Sequence, residues 1–167
     1  MTDNDETTAS PGDGAFEPVY ADYTGEELLE QAQGNAQAAL IATVAFLRSR
    51  EVSVNDWAAA LGASFALEWG EPEPWAPDEF LDAMLTNYRS LGATVTRADL
   101  GRERAEAEIT GFPDPDQCAH FGAPVADVAR FHDTAVAIAA ARGLRWTWSL
   151  DDDATAKTRL VVEPVVT

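Results

Sequence analysis

The chain has 167 residues, room for one domain with its own core, and a formal net charge of −18 from 29 acidic and 11 basic residues. A surface of that sign repels polyanions and speaks against nucleic acid or an anionic membrane as a partner. The single cysteine, Cys118, excludes an intramolecular disulfide and gives no sign of secretion.

Residues 1–18 are polar, acidic and rich in Gly and Thr, and are expected to form a disordered tail. They carry neither the basic nor the apolar region of a signal peptide. A single domain is expected over residues 19–166. The longest apolar-rich run, Ala38–Leu47, is too short to span a bilayer. A cytoplasmic location follows as the expectation. Lys157 is the only lysine. An acidic, lysine-poor surface suits a salt-rich cytoplasm, which is the halophilic reading; a GC-rich genome that codes Arg over Lys is the alternative.

The first helix opens at Thr24, with Glu27 three residues on, the pattern of a capping box. Leu28, Ala32, Ala36, Leu40, Val44 and Leu47 then recur at helical spacing, and Arg48 and Arg50 sit where the dipole favours positive charge. Ser53 can cap a second helix whose apolar stripe is Val54, Trp57, Leu61, Phe65 and Trp69. Its faint helix-turn-helix look lacks the basic face that DNA reading needs. Pro72 and Pro74 break the chain. Pro77, followed by Asp78 and Glu79, starts a third helix with Leu81, Met84, Leu85 and Tyr88 inward; Gly92 can close it in a left-handed conformation.

After Gly92 the apolar period changes to two. A hairpin is predicted around Leu100–Gly101–Arg102, with Ala105, Ala107 and Ile109 on the core face and Arg104, Glu106 and Glu108 on the wet face. A long fourth helix is predicted from Pro124 to Gly143. A second hairpin then turns at residues 151–157, with Trp146, Trp148 and Leu150 pointing one way and Arg145, Thr147 and Ser149 the other. Three helices, a β-hairpin, a long helix and a β-hairpin make an α+β domain. The expected sheet is four-stranded and antiparallel, with helices packed on one face.

Candidate chemistry gathers in Phe112–Asp133, which holds Cys118 and both histidines, His120 and His132. Cys118 and His120 fall in a segment bounded by Pro113, Pro115 and Gly122, read as a loop. A thiol nucleophile there would need a base in reach and a lowered pKa, whereas a free cysteine more often packs as a small hydrophobe. One Cys and two His at this spacing match no zinc motif, so no metal is expected. The acidic run 151–153 lacks the spacing and glycine of a calcium loop. No phosphate loop, dinucleotide fingerprint or serine elbow is present, and no cofactor is expected.

His132 falls on the apolar arc of the predicted fourth helix with Val125, Val128, Ala135, Val136 and Ala139; Arg130, Asp133 and Ala137 lie opposite. A buried His needs a hydrogen-bond partner. That partner is either structural or a ligand in a pocket between helix and sheet, walled by Trp146 and Trp148, with Cys118 and His120 at its mouth.

The strand entering the Cys118 segment (residues 105–118) and the closing hairpin (residues 144–164) give an order of elements that resembles the four-vinyl-reductase-like domain, related in fold to small subunits of transport particles. The resemblance covers most of residues 24–164. It implies a domain that binds small, often hydrophobic molecules and commonly dimerises. A bacterial hydrolase family acting on amino-thiazoline carboxylate has a similar order, and the corresponding alternative is a hydrolase using Cys118 with His120 or His132. No catalytic residue is carried over, and the further cysteines typical of the family's last hairpin are missing here. A domain that binds or senses a small apolar or aromatic molecule leads, with a non-catalytic dimeric interaction subunit as the third reading.

Overall fold

The computed structural model describes residues 23–70 and 73–165; the tail expected over residues 1–18 lies outside them. Helix α1 (Gly25–Ser49) starts at the predicted capping box: the Glu27 backbone N–H donates to Thr24 Oγ1 at 3.2 Å, and the Thr24 N–H donates to the Glu27 carboxylate at 2.7 Å. Ser53 caps α2 (Val54–Glu68) by accepting from the Asp56 N–H. Helix α3 (Pro77–Ser90) has Pro77 in its first turn, and Glu79 reaches back to the Ala76 N–H. Its buried face is Phe80, Leu81, Met84, Leu85 and Tyr88, and Gly92 follows at φ +87°. Only a residue without a Cβ takes that angle freely, so the chain turns there into the sheet.

Strands β1 (Thr94–Leu100), β2 (Ala105–Thr110), β3 (Leu144–Asp152) and β4 (Lys157–Pro164) form one antiparallel sheet in the order β1-β2-β4-β3. Two local hairpins are thus joined by β2 against β4. The register aligns Ala105, Ala107 and Ile109 with Val162, Leu160 and Thr158, and aligns Trp146 and Trp148 with Val162 and Leu160. These side chains make the inner face, on which α3 and the segment before β3 pack. The outer face is wet. Arg104 bridges Glu106 and Glu163, Arg145 also pairs with Glu163, and Lys157 meets Glu108 at 3.0 Å. The strands therefore carry their own compensating bases within a strongly acidic chain.

Two expectations are corrected. The Cys118 segment is a helix: α4 (Pro115–Phe121) has Asp114 as N-cap, accepting from the Gln117 N–H at 2.8 Å, and Gly122 as a left-handed C-cap. Pro115 does not break it, because the first helical turn has no use for that N–H. The long fourth helix is also three pieces: α5 (Val125–Val128), a 3-10 segment (Ala129–Asp133) and α6 (Thr134–Ala140). The inward residues nevertheless keep helical spacing across the segment: Val128, His132, Ala135 and Ala139 are all buried. Ala135, Ile138 and Ala139 stay inside, while Val136, predicted inside, is 46% exposed.

Helix α2 covers α6, and α1 lies against α4 and α5. The inward residues of α1 are Gln37, Ile41 and Val44; Leu28, Ala32 and Ala36, part of its predicted stripe, are exposed. Gln37 is a buried amide that ties three loop ends. Its Nε2 donates to Leu91 O at 2.7 Å and Gly111 O at 3.1 Å, and its Oε1 accepts from the Asp114 N–H at 2.7 Å. Gln37→Ala is expected to cost about 2 kcal/mol, because three backbone groups then depend on water that reaches them only partly. Chemical denaturation at neutral pH measures it.

Candidate functional site

The 3-10 segment places His132 at the centre of the domain with no exposed surface. Its Nδ1 lies 2.8 Å from the hydroxyl of Tyr88 on α3, and its ring packs against Tyr88, Phe112 and Trp148 at centroid distances of 5.0, 5.6 and 5.2 Å. Nε2 has no hydrogen-bond partner among the described residues. Burial pulls the imidazole pKa down to about 3, so the ring is neutral at physiological pH. Burial, with the Asp133 carboxylate second, pushes the Tyr88 hydroxyl far above its ordinary range. The pair is therefore a neutral hydrogen bond and carries no charge.

Two tryptophans are anchored to the same segment. Trp146 Nε1–H donates to the backbone carbonyl of His132 at 3.0 Å, and Trp148 Nε1–H donates to Asp133 Oδ1 at 2.7 Å. Trp146 is buried, while Trp148 keeps part of its indole in solvent. The guanidinium of Arg130 lies 5.5 Å from the Trp148 ring and 3.6 Å from Asp133 Oδ2. An open groove of about 500 Å³ runs between the 3-10 segment and β3, lined by Arg130, Asp133, Val136, Trp146, Trp148 and Leu150, among others. A second, more apolar cleft of about 260 Å³ lies between α2, α3 and α6, against Phe65, Trp69, Met84, Tyr88 and Ile138. The first has the volume usual for a small-molecule site; the second falls short of it.

The five residues singled out from the sequence thus divide. Trp146, Trp148 and His132 come together, with Trp146 and Trp148 on the groove wall and His132 behind it. Cys118 and His120 sit elsewhere, on α4. Cys118 is buried among Ile41, Val44, Ala123 and Val128, and burial with Asp114 nearby pushes its thiol up to about 11. A thiol so held is protonated and inert at neutral pH. His120 is exposed and packs edge-on against Phe121. Among the described residues, no group of three or more His, Cys, Asp or Glu side chains could hold a metal ion. No described helix is long and apolar enough to cross a membrane.

Sequence reasoning missed Arg130 and Asp133, which the helical wheel placed on its outer side. Their three-residue spacing was a usable signal for a pair beside a Trp-bearing strand. It also missed Arg142. That side chain is buried, donates to Trp69 O at 2.6 Å, and lies 4.9 Å from the ring of Trp75 and 5.5 Å from that of Trp69. It joins the ends of α2 and α6 to the entry of α3. The steps of four and three from Val128 through His132, Ala135 and Ala139 reach Arg142, so its burial was written in the periodicity. Comparison with protein-family models, curated proteins and solved structures gives no match.

Proposed function

We propose that the domain binds a small planar ligand in the groove between the 3-10 segment and β3. The observation that carries this reading is the fixing of Trp148. Its N–H is held by Asp133, its ring is backed by His132, and its remaining surface faces a groove of about 500 Å³. An indole held rigidly at a groove wall offers stacking area at little entropic cost. Arg130, half exposed beside that ring, adds a donor for an anionic edge of the ligand. His132 takes no direct part: it orients the two tryptophans from behind. The small-molecule role implied by the four-vinyl-reductase-like resemblance agrees with this reading. The hydrolase alternative finds no support in the buried, protonated Cys118.

Indole-3-carboxylate serves as a probe, followed by the quenching of tryptophan fluorescence. Saturable binding is expected, weakened at least about tenfold in Trp148→Ala, as befits the loss of a buried aromatic contact. Arg130→Gln should weaken the carboxylate probe more than neutral indole. Unchanged affinity in Trp148→Ala removes the groove as the site.

A further inference from the structure

The sheet has two free edges, and the chain treats them differently. In the order β1-β2-β4-β3 the outer strands are β1 and β3. An exposed edge presents unpaired N–H and C=O groups, and charges, prolines or bulges ordinarily blunt it. Strand β1 is blunted: its register slips between Val95 and Arg97, and Arg97 and Asp99 are exposed charges. Strand β3 is not. From Trp146 to Leu150 it carries no charge and no proline, and it pairs with β4 without a slip. Among the described residues, no backbone hydrogen bond reaches this stretch from beyond β4.

The tryptophan groove runs along that open edge. A groove on one face of a strand touches every second residue, because side chains alternate. This one is lined by Trp146, Thr147, Trp148, Ser149 and Leu150 in unbroken succession, so it opens on the edge of the strand. Its opposite wall is Ala126, Arg130, Asp133 and Val136. The stretch is about 14 Å long at the extended rise. Alternate residues along it aim both N–H and C=O away from β4. A slot between a helical segment and an open strand edge fits an extended chain that joins the sheet as a further strand.

The charges at the end of the slot select the occupant. Beyond Leu150 the chain runs into Asp151, Asp152 and Asp153, all exposed. Asp151 lies 3.6 Å from Arg159, and Lys157 is turned to Glu108; Asp152 and Asp153 make no ion pair among the described residues. With a net charge of −18 behind it, this end draws basic groups. We infer that the groove takes an extended peptide that pairs with the open edge of β3, with an aromatic residue over Trp148 and basic residues beside Asp152 and Asp153. Antiparallel addition, the more stable ladder, sets the order of the peptide. Its basic residues precede the aromatic one by about four or five positions, the separation of Asp152 and Asp153 from Trp148. The inference rests on the groove being the binding site, as proposed above, and identifies the planar group as a side chain of the peptide. Main-chain bonds to β3 supply affinity, and the aromatic residue fixes the register.

The capped peptide acetyl-Lys-Lys-Thr-Val-Thr-Trp-Thr-Val-amide, titrated calorimetrically into the full chain, tests the inference. It is expected to bind at least about tenfold more tightly than indole-3-carboxylate, through the added main-chain bonds. Two versions, N-methylated on the two alternate sets of residues, separate an added strand from a stacked ring. One should lose at least about tenfold in affinity and the other should bind as the parent does, because an added strand turns only every second amide toward its neighbour. Replacing Lys-Lys by Glu-Glu should weaken binding at least about tenfold at about 0.1 M salt. The outward amides of Trp146–Leu150 should exchange hydrogen quickly in the free chain and slowly with the peptide bound. A peptide that binds no tighter than indole-3-carboxylate, or that tolerates both methylations, overturns strand addition and leaves the groove standing as a small-ligand site. If neither probe binds, the groove itself falls, and the inference with it. Edge amides already protected in the free chain mean that another segment or a second copy covers β3, which overturns the inference. Indifference to Glu-Glu overturns the basic partner.

Discussion

Gly62→Ala is expected to cost about 3 kcal/mol or more, the upper end of what overpacking usually costs, although the change adds one methyl to a helix and improves its propensity. A Cβ on Gly62 would stand 2.5 Å from the carbonyl oxygen of Thr134, 2.8 Å from its Cα and 3.0 Å from its carbonyl carbon. All three are backbone atoms at the start of α6, so no side-chain rotamer can give way. Relief requires α2 to move off α6. That shift would also disturb Thr134, whose hydroxyl donates to Phe131 O at 2.8 Å, and with it the 3-10 segment that holds His132. The gain in helix propensity, about 1 kcal/mol, opposes the loss and does not reverse it. Urea denaturation checks the sign and size. Because Asn55 and Ala59 of α2 stand beside Arg130, Asp133 and Val136, which also line the tryptophan groove, probe affinity should fall along with stability. Gly25→Ala is the control: among the described residues, nothing beyond its own neighbours and its own helical turn lies within 4 Å of the added methyl, and little change is expected.

Gly62 also shows how far the sequence could be read. The α2 stripe of Val54, Trp57, Leu61, Phe65 and Trp69 was legible from its spacing, and those residues are partly buried as expected. The closest contact of that helix is nevertheless made by a residue with no side chain, which periodicity cannot see. The two hairpins and their inward faces were legible, because alternation over Ala105–Ile109 and Trp146–Leu150 has one physical meaning once a face is buried. The connection between them was misread for two separate reasons. Helix α4 was hidden by weighing Pro113 and Pro115 as breakers, though Asp114, Pro115 and Gly122 together spell a cap, a first turn and a stop. The 3-10 break was illegible, since nothing in residues 129–133 distinguishes a turn of three residues from one of 3.6. Val136, at the edge of the predicted arc, is exposed, and Asp133 bonds Trp148 across to β3.

His132 was legible as the buried histidine, but its partner was not. The Tyr88 that faces it lies 44 positions away, on a helix where it reads as ordinary core. The pair makes a pH-dependent prediction. His132 has a folded pKa near 3, against an ordinary value near 6.5 in the unfolded chain. Between those limits the unfolded state binds one more proton than the folded state, so stability falls as pH falls. The loss from this residue begins near pH 6.5 and runs at about 1.4 kcal/mol per pH unit toward the folded pKa. Above pH 6.5 both states are neutral and His132 contributes no slope. In His132→Leu two effects oppose each other at neutral pH. Losing the Tyr88 hydrogen bond costs about 1–2 kcal/mol, and removing the unpartnered Nε2 returns a similar amount. The acid limb carries no such cancellation. Relative to wild type, His132→Leu should gain about 2 kcal/mol between pH 7 and pH 5 from the missing protonation alone. Other titrating groups, Asp133 included, are present in both proteins and largely cancel in the difference. Urea denaturation of both proteins at half-unit pH steps measures the quantity. A stability difference that stays flat from pH 7 to pH 5 would mean that His132 takes up its proton without leaving the fold, and that the Tyr88–Phe112–Trp148 enclosure opens to water in the native state.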